Sequence, residues 1–391
     1  MSTTTGERTA RPHRPPHLTA EHEETRSRVR GVLGDVVLPQ ADAWERQGRV
    51  SAEGWRALGA HGLLDFAHDG EEFLHSAVLL EELGRTGYAG IRASVGVHAF
   101  MALSYVRMFG TAELRATLLP AAARGERIAA LAISEPDAGS DLRHLSTRAE
   151  PLGDGGAGGF RVDGRKCHVA NGSGAGFFVT LVKTRRTSGD RGLSGASLLV
   201  IDADAPGVTR TPQPMTGWRS ADVCRVDFDD VRVPANALVG RRDMALLHLM
   251  KALDFERLVA GLLAVGGVGY CLELLDGFVR RHRVKDVPLG SHQAVRHRVA
   301  ELTGELELVR TYAYHAAQLH AQGRLDTRTA SVLKLKATEL AVSAAQACVQ
   351  YHGARGYLED AAAARLYRDA MAGTIAAGAS ELMRDMIYDT H

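Results

Sequence analysis

Ser134-Glu135-Pro136-Asp137-Ala138-Gly139-Ser140-Asp141 stands where the texture of the chain changes. Upstream, from about Leu18 to Ala130, apolar residues return every three or four positions, as in Val78-Leu79-Leu80-Glu81-Glu82-Leu83-Gly84 and through Leu114, Leu118 and Leu119. That is the period of helices with one buried stripe. Downstream, as far as Gly240, the runs are β-rich: Phe177-Phe178-Val179-Thr180-Leu181-Val182, Ser197-Leu198-Leu199-Val200-Ile201 and Val226-Asp227-Phe228-Asp229-Asp230-Val231-Arg232-Val233. Gly, Pro and Asp separate them, as turns in a compact β unit require. From Met244 onward, long Ala- and Leu-rich segments resume, broken at Gly323 and between Gly353 and Gly356, and predict a four-helix bundle. The expected organisation is α+β: a flexible tail over 1–17, a helical domain over 18–130, a barrel-like β domain over 131–242 and the bundle over 243–391.

Composition narrows the partners. The chain has 391 residues, 45% of them hydrophobic, enough for a large core. Lys and Arg number 47 against 46 Asp and Glu, so no strong field draws it to nucleic acid or an anionic membrane. The apolar run Leu258 to Leu272 carries four glycines and falls short of the roughly 20 residues that span a bilayer, so a buried, closely packed helix is expected there. Arg8, Arg11, Pro12, Arg14, Pro15 and Pro16 precede no apolar stretch, unlike a secretory signal. Cys167, Cys224, Cys271 and Cys348 are scattered without a CxxC pair, which fits a reducing, cytoplasmic setting. The 17 histidines form no HExxH, and no metal site is expected. The Gly-rich stretch 153–159 lacks a following Lys-Ser or Lys-Thr and reads as a hairpin turn.

Several motifs carry a resemblance. Ser134 to Asp141 is similar to the Thr-Glu-Pro-x-Ala-Gly-Ser-Asp loop of the acyl-CoA dehydrogenase family, and Lys166-Cys167-His168-Val169-Ala170-Asn171-Gly172 to its Lys-x-Trp-Ile-Thr-Asn-Gly strand. Met215 to Asp222 and Phe228 to Pro234 resemble its Gly-x-Arg-x-Ser segment and the strand leading out of the β domain. The resemblance implies that Ile133 and Ser134 meet the pyrimidine side of an FAD ring, Ser140 its pyrophosphate, and His168, Val169 and Ala170 the flavin edge. His168 replaces the family's Trp and Ala170 its Thr, removing one hydrogen bond to the ring.

Tyr367-Arg368-Asp369-Ala370 and Ile375-Ala376-Ala377-Gly378-Ala379-Ser380-Glu381 resemble the family's C-terminal signature, but Ala377 stands where the catalytic Glu usually lies. Leu253-Asp254-Phe255-Glu256-Arg257-Leu258 resembles the string in which isovaleryl-CoA dehydrogenases carry their base on an earlier helix, so Glu256 is the expected base. Helical spacing puts Ala260, Leu263 and Gly267 on its face, and the small residues among them are expected to leave room for a ligand. By the same resemblance Asp254, Arg257 and Ala377 adjoin the thioester and its pantetheine arm.

The family's Arg-x-x-Phe-Gly and Gln, which reach FAD in a neighbouring subunit, have their counterpart in Arg281-His282-Arg283-Val284-Lys285-Asp286 and Gln293; Gln350 and Gly353 to Gly356 answer to its Gln-x-x-Gly-Gly-x-Gly. The resemblance implies an FAD-dependent dehydrogenase acting on acyl-CoA or an acyl-carrier protein. It would pass electrons to an electron-transferring flavoprotein and assemble as a homotetramer or homodimer, without nucleic acid or membrane partners. A flavin monooxygenase or oxidase of the same fold is the alternative, and a flavin-free binding protein the next. The family's Pro-Glu-x-x-Gly-Gly loop is shortened around Asp65 to Glu72.

Overall fold

The structure is a computed structural model that describes residues 17–153, 157–185 and 193–390. Of the tail read over 1–17, all but His17 lies outside the described residues.

The first unit is helical. Helix α1 (Ala20–Val32) starts at Thr19, whose backbone and hydroxyl both meet His22 Nδ1 in a capping box. It runs through a π-helical turn, Leu33–Val37, into α2 (Leu38–Gln47). Next come α3 (Ala52–Ala60, capped by Ser51), α4 (Phe73–Arg85) and α5 (Ala89–Val95). A second π-helical stretch, Gly96–Ala102, leads to α6 (Leu103–Phe109), followed by α7 (Ala112–Ala123). In the apolar run of α4, Glu81 and Glu82 are buried because Arg26 of α1 binds both, at 2.9 and 2.7 Å, and Arg310 approaches Glu81 at 2.7 Å. Buried charge is tolerated only when paired in this way.

The middle unit is an eight-stranded mixed sheet built from β1 (Ala129–Ala132), β2 (Arg148–Pro151), β3 (Phe160–Val169), β4 (Phe177–Lys183), β5 (Ala196–Asp202), β6 (Val208–Pro212), β7 (Cys224–Val233) and β8 (Leu238–Val239). The order is β6-β7-β3-β2-β4-β5-β8, with β1 added parallel to β4. The pairing of β3 with β7 slips between Lys166 and Val169, which places His168 on a bulge with φ +55°.

The third unit opens with α8 (Ala245–Arg281), which reaches beyond the apolar run at both ends and spans 37 residues. It is long and apolar enough to cross a membrane, but 72% of its most apolar window is buried inside the protein. A hairpin, β9 (Arg283–Val284) and β10 (Val287–Pro288), turns through Lys285 and Asp286, both at positive φ. Helices α9 (Gln293–Ala321) and α10 (Thr327–His352) follow, then α11 (Ala362–Ile375) and α12 (Ser380–Asp389).

Helix α8 threads all three cores. Ala245, Leu249 and Ala252 pack with the sheet, Phe255 to Val265 with the first helical unit, and Val268 to Val279 within the bundle. Glu256 therefore sits where the units meet.

Candidate active site

Glu256 is buried, about one turn beyond the residues of α8 that pack on the sheet. Its Oε1 accepts a hydrogen bond of 2.7 Å from the hydroxyl of Tyr105 on α6, itself fully buried. Burial pushes the Glu256 carboxyl up to about 7, against the opposing pull of the Tyr105 hydrogen bond and the Arg257 charge. Burial and the same contact drive the Tyr105 phenol well above its ordinary value, so it stays a neutral donor.

Arg257 Nη1 donates to Asp254 Oδ1 at 2.6 Å, and Asp254 Oδ2 accepts from Thr327 Oγ1 of α10 at 2.8 Å. Among the described residues, Arg257 Nε is buried with no hydrogen-bond partner. Lys334 of α10 is also buried, and its Nζ donates to the carbonyl of Gly378. Desolvation, aided by Arg257, lowers Lys334 to about 8. The loop it anchors, 376–379, carries Ala377 at φ +53° and Gly378 at φ +98°, and Ser380 Oγ beside it is buried without a partner among the described residues. An alanine at positive φ is strained, so the loop's shape is imposed by its surroundings, Lys334 among them.

The expectation that small residues beside Glu256 leave room for a ligand is corrected in part. A Cβ on Gly267 would lie 2.0 Å from Arg92 Nη1, so that guanidinium already fills the gap. Arg92 Nη1 also donates to Leu263 O at 2.8 Å. Gly261 is matched to Leu333 and Gly266 to the backbone of Glu81, so both serve helix packing. A cleft of about 450 Å³ does open beside the first turns of α8, lined by Phe109, Gly240, Arg241, Leu247, His248 and Lys251.

The loop 134–141 is fixed from beneath. Glu135 is buried and accepts from Lys166 Nζ (2.9 Å), Ser146 N (2.7 Å), Ser146 Oγ (2.6 Å) and Thr147 N (3.0 Å). Burial opposes its ionisation, but Lys166 and these donors hold its carboxyl at about 2. Lys166 also donates to Ile133 O at 3.0 Å, and Cys167 N to Ser134 O at 2.9 Å, joining the loop to β3. Ile133, Ser134 and Ala170 are half-buried, Ser140 and His168 exposed, and Val169 buried. The His168 amide donates to Gln213 Oε1 at 2.9 Å. A Cβ on Gly139 would meet nothing within 4 Å. Ser134, Gly139, Ser140 and Ala170 thus leave a partly open shelf that fits close approach of a flat ring and its phosphates, whereas Val169 is fully buried and offers no accessible face to a ligand.

Arg281, Arg283, Gln293, Gln350 and Gly353 are all exposed at the far end of the bundle. There Phe278 stacks on His282 at 4.8 Å and on His352 at 4.0 Å, tying the ends of α8 and α10 together. Arg283 Nη1 is spent on Asp286 O of its own hairpin at 2.7 Å. Arg281 lies 25 positions beyond Glu256, about 37 Å along the helix. These five residues are a separate group, distant from Glu256.

Sequence reasoning missed Tyr105, Lys334, and the Glu135–Lys166 pair. For Lys334 a signal existed: a lysine in register with Ala330, Ala337 and Thr338 lies on the apolar face of its helix, where lysine is rarely found unpaired. Tyr105 meets a residue 151 positions away and gives no local signal.

Comparisons agree with this architecture. Family models for the N-terminal, middle and C-terminal domains of acyl-CoA dehydrogenase match residues 19–126, 130–231 and 246–390. Mouse (Mus musculus) mitochondrial long-chain specific acyl-CoA dehydrogenase is 31% identical over 377 residues, 95% of this chain and 86% of that protein. Mitochondrial isovaleryl-CoA dehydrogenase of Arabidopsis thaliana is 29% identical over 370 residues, 94% of this chain and 86% of its own. The crystal structure of an acyl-CoA dehydrogenase from Geobacillus kaustophilus superimposes with a TM-score of 0.90 at 31% identity, covering 96% of this chain and 99% of that one. The chain belongs to the acyl-CoA dehydrogenase family.

Proposed function

We propose that the protein is an FAD-dependent dehydrogenase of acyl thioesters with Glu256 as its base. The observation that carries this reading is a buried carboxylate, raised to about 7 by desolvation, at the junction of the three units. A base of that strength is half ionised near neutral pH and can take a weakly acidic α proton. FAD, when bound on the shelf of Ile133, Ser134, Ser140, His168 and Ala170, with Val169 buried beneath it, would supply the acceptor for the β hydride.

The chain's own groups do the rest. Glu256 removes the α proton. Arg257 Nε, buried and unpartnered, suits a carbonyl oxygen of the pantetheine arm, with Asp254 fixing the guanidinium. Ala376 N donates to Ala372 O, and the next amide, that of Ala377, is assigned to the thioester carbonyl, whose polarisation acidifies the α carbon. Loss of the side chain at Ala377 leaves that amide in place.

Arg281, Arg283, Gln293, Gln350 and Gly353 are too far along α8 to touch a ligand held at Glu256, which supports their serving FAD in another copy of the chain, hence a homotetramer or homodimer. Acyl-CoA is the favoured thioester, an acyl-carrier protein the other; an electron-transferring flavoprotein is the proposed acceptor, and the cytoplasm the proposed setting. Ala170 offers no hydroxyl to the ring, and an oxidase or monooxygenase reading rests on that; rapid oxygen uptake by the reduced protein would favour it. The test of the base is Glu256→Gln, expected to keep its FAD and to lose steady-state turnover of an acyl-CoA by orders of magnitude. Wild-type turnover would refute the assignment.

A further inference from the structure

We propose that Tyr105 is a positioning residue for the base: its hydroxyl holds Oε1 of Glu256 and leaves Oε2 as the working atom. The proposal rests on Glu256 being the base, and deepens that reading.

The geometry is specific. The bond is 2.7 Å, between two side chains withdrawn from solvent, and the donor comes from α6 across to α8. A carboxylate swings about its terminal torsion unless something holds it, because that torsion has broad wells. Tyr105 OH engages one oxygen, and the second stays free for the substrate proton. The phenol remains protonated, so it donates to the carboxylate at every pH at which the enzyme works. A hydrogen bond to a buried charged group favours the charged form, so Tyr105 also offsets part of the rise that burial imposes on Glu256.

Besides Tyr105, Arg257 is the charged group that acts on Glu256, its charge pulling the carboxyl down; the titratable groups on the elements packed nearby are paired or neutral. On α8 itself Arg257 pairs with Asp254. From α10, Lys334 is committed to Gly378 O. On α4, Glu81 and Glu82 are matched by Arg26. From α9, His320 stacks on Phe255 at 4.8 Å, and from the segment before α4, His68 lies tilted against it at 5.7 Å; burial lowers both, His68 to about 3. In the π-helical stretch before α6, His98 is lowered to about 4 by burial. Tyr105 is the group that touches the carboxylate.

The test titrates Glu256 directly, by difference infrared spectroscopy of the FAD-loaded protein without substrate, using Glu256→Gln to identify its carboxyl band. In wild type the band should titrate near neutral pH. In Tyr105→Phe the titration should move up by about one to two pH units, the worth of one hydrogen bond to a charged group. The C=O stretch of the acid form should shift with loss of its donor, while flavin content stays unchanged. Tyr105→Met, whose flexible side chain fills much of the space without a donor, gives the same reading where the Phe variant fails to fold. A titration that is unmoved or moves down in these variants overturns the role of Tyr105. Failure of the base assignment itself shows separately, as retained turnover in Glu256→Gln.

Discussion

Gly266 of α8 lies against the backbone of Glu81 in α4 so closely that a Cβ at position 266 would come within 1.9 Å of the Glu81 carbonyl oxygen. Gly84 answers from the other side: its own Cβ would fall 2.3 Å from Leu263 O. This contact sets how α8, and with it Glu256, lies on the first helical unit.

Gly266→Ala should therefore force the two helices apart and destabilise the protein by about 1–3 kcal/mol, the usual range for overpacking. Gly304→Ala is the control. It sits in α9 with nothing within 4 Å of an added Cβ, and should stabilise by up to about 1 kcal/mol through helix propensity. Thermal or denaturant melts of the two variants decide the point, and equal effects would contradict the packing argument.

The base should cost stability. Its acid form is the one the fold prefers. Lifting the carboxyl from 4.5 to about 7 is a contribution present below about pH 4.5 and lost as pH rises through 7. The full effect is about 3 kcal/mol. We expect Glu256→Gln to melt above wild type at pH 8 and the gap to narrow as pH falls through 7, closing below about pH 4.5. A gap that is independent of pH would contradict burial as the cause.

Lys166→Met should leave the Glu135 anion buried without its cation, at a cost of about 3–5 kcal/mol near neutral pH. Because Lys166 also holds Ile133 O, the same variant should release FAD more readily. Adding Glu135→Gln should recover part of the stability. Flavin content after gel filtration and melting temperatures read both effects.

Ala377→Gly should relieve the positive φ and stabilise the loop by about 1 kcal/mol, with turnover changed far less than by Glu256→Gln. A loss as large as that of Glu256→Gln would mean that the side chain at 377 matters to the chemistry.

Much of the fold was legible because it is written locally. The loop 134–141, the alternating strands and the helical periods each carry their own signal. What was not legible depends on partners distant in sequence. Glu81 and Glu82 look like a polar interruption until Arg26 and Arg310 are brought to them. Gly267 looks like ligand space until Arg92 occupies it. The π-helical stretches 33–37 and 96–102 leave no mark in the hydrophobic period. Glu256 stood out through a resemblance rather than through its own surroundings, and its burial and its Tyr105 partner required the structure.

The role of Glu256 is read most directly in a single turnover: rapid mixing of the FAD-loaded protein with an acyl-CoA chosen for bleaching the wild-type flavin, following the flavin absorbance band. In Glu256→Gln the flavin should be bound, and its band should fade slower by orders of magnitude. Bleaching of that variant at the wild-type rate would contradict the assignment of the base.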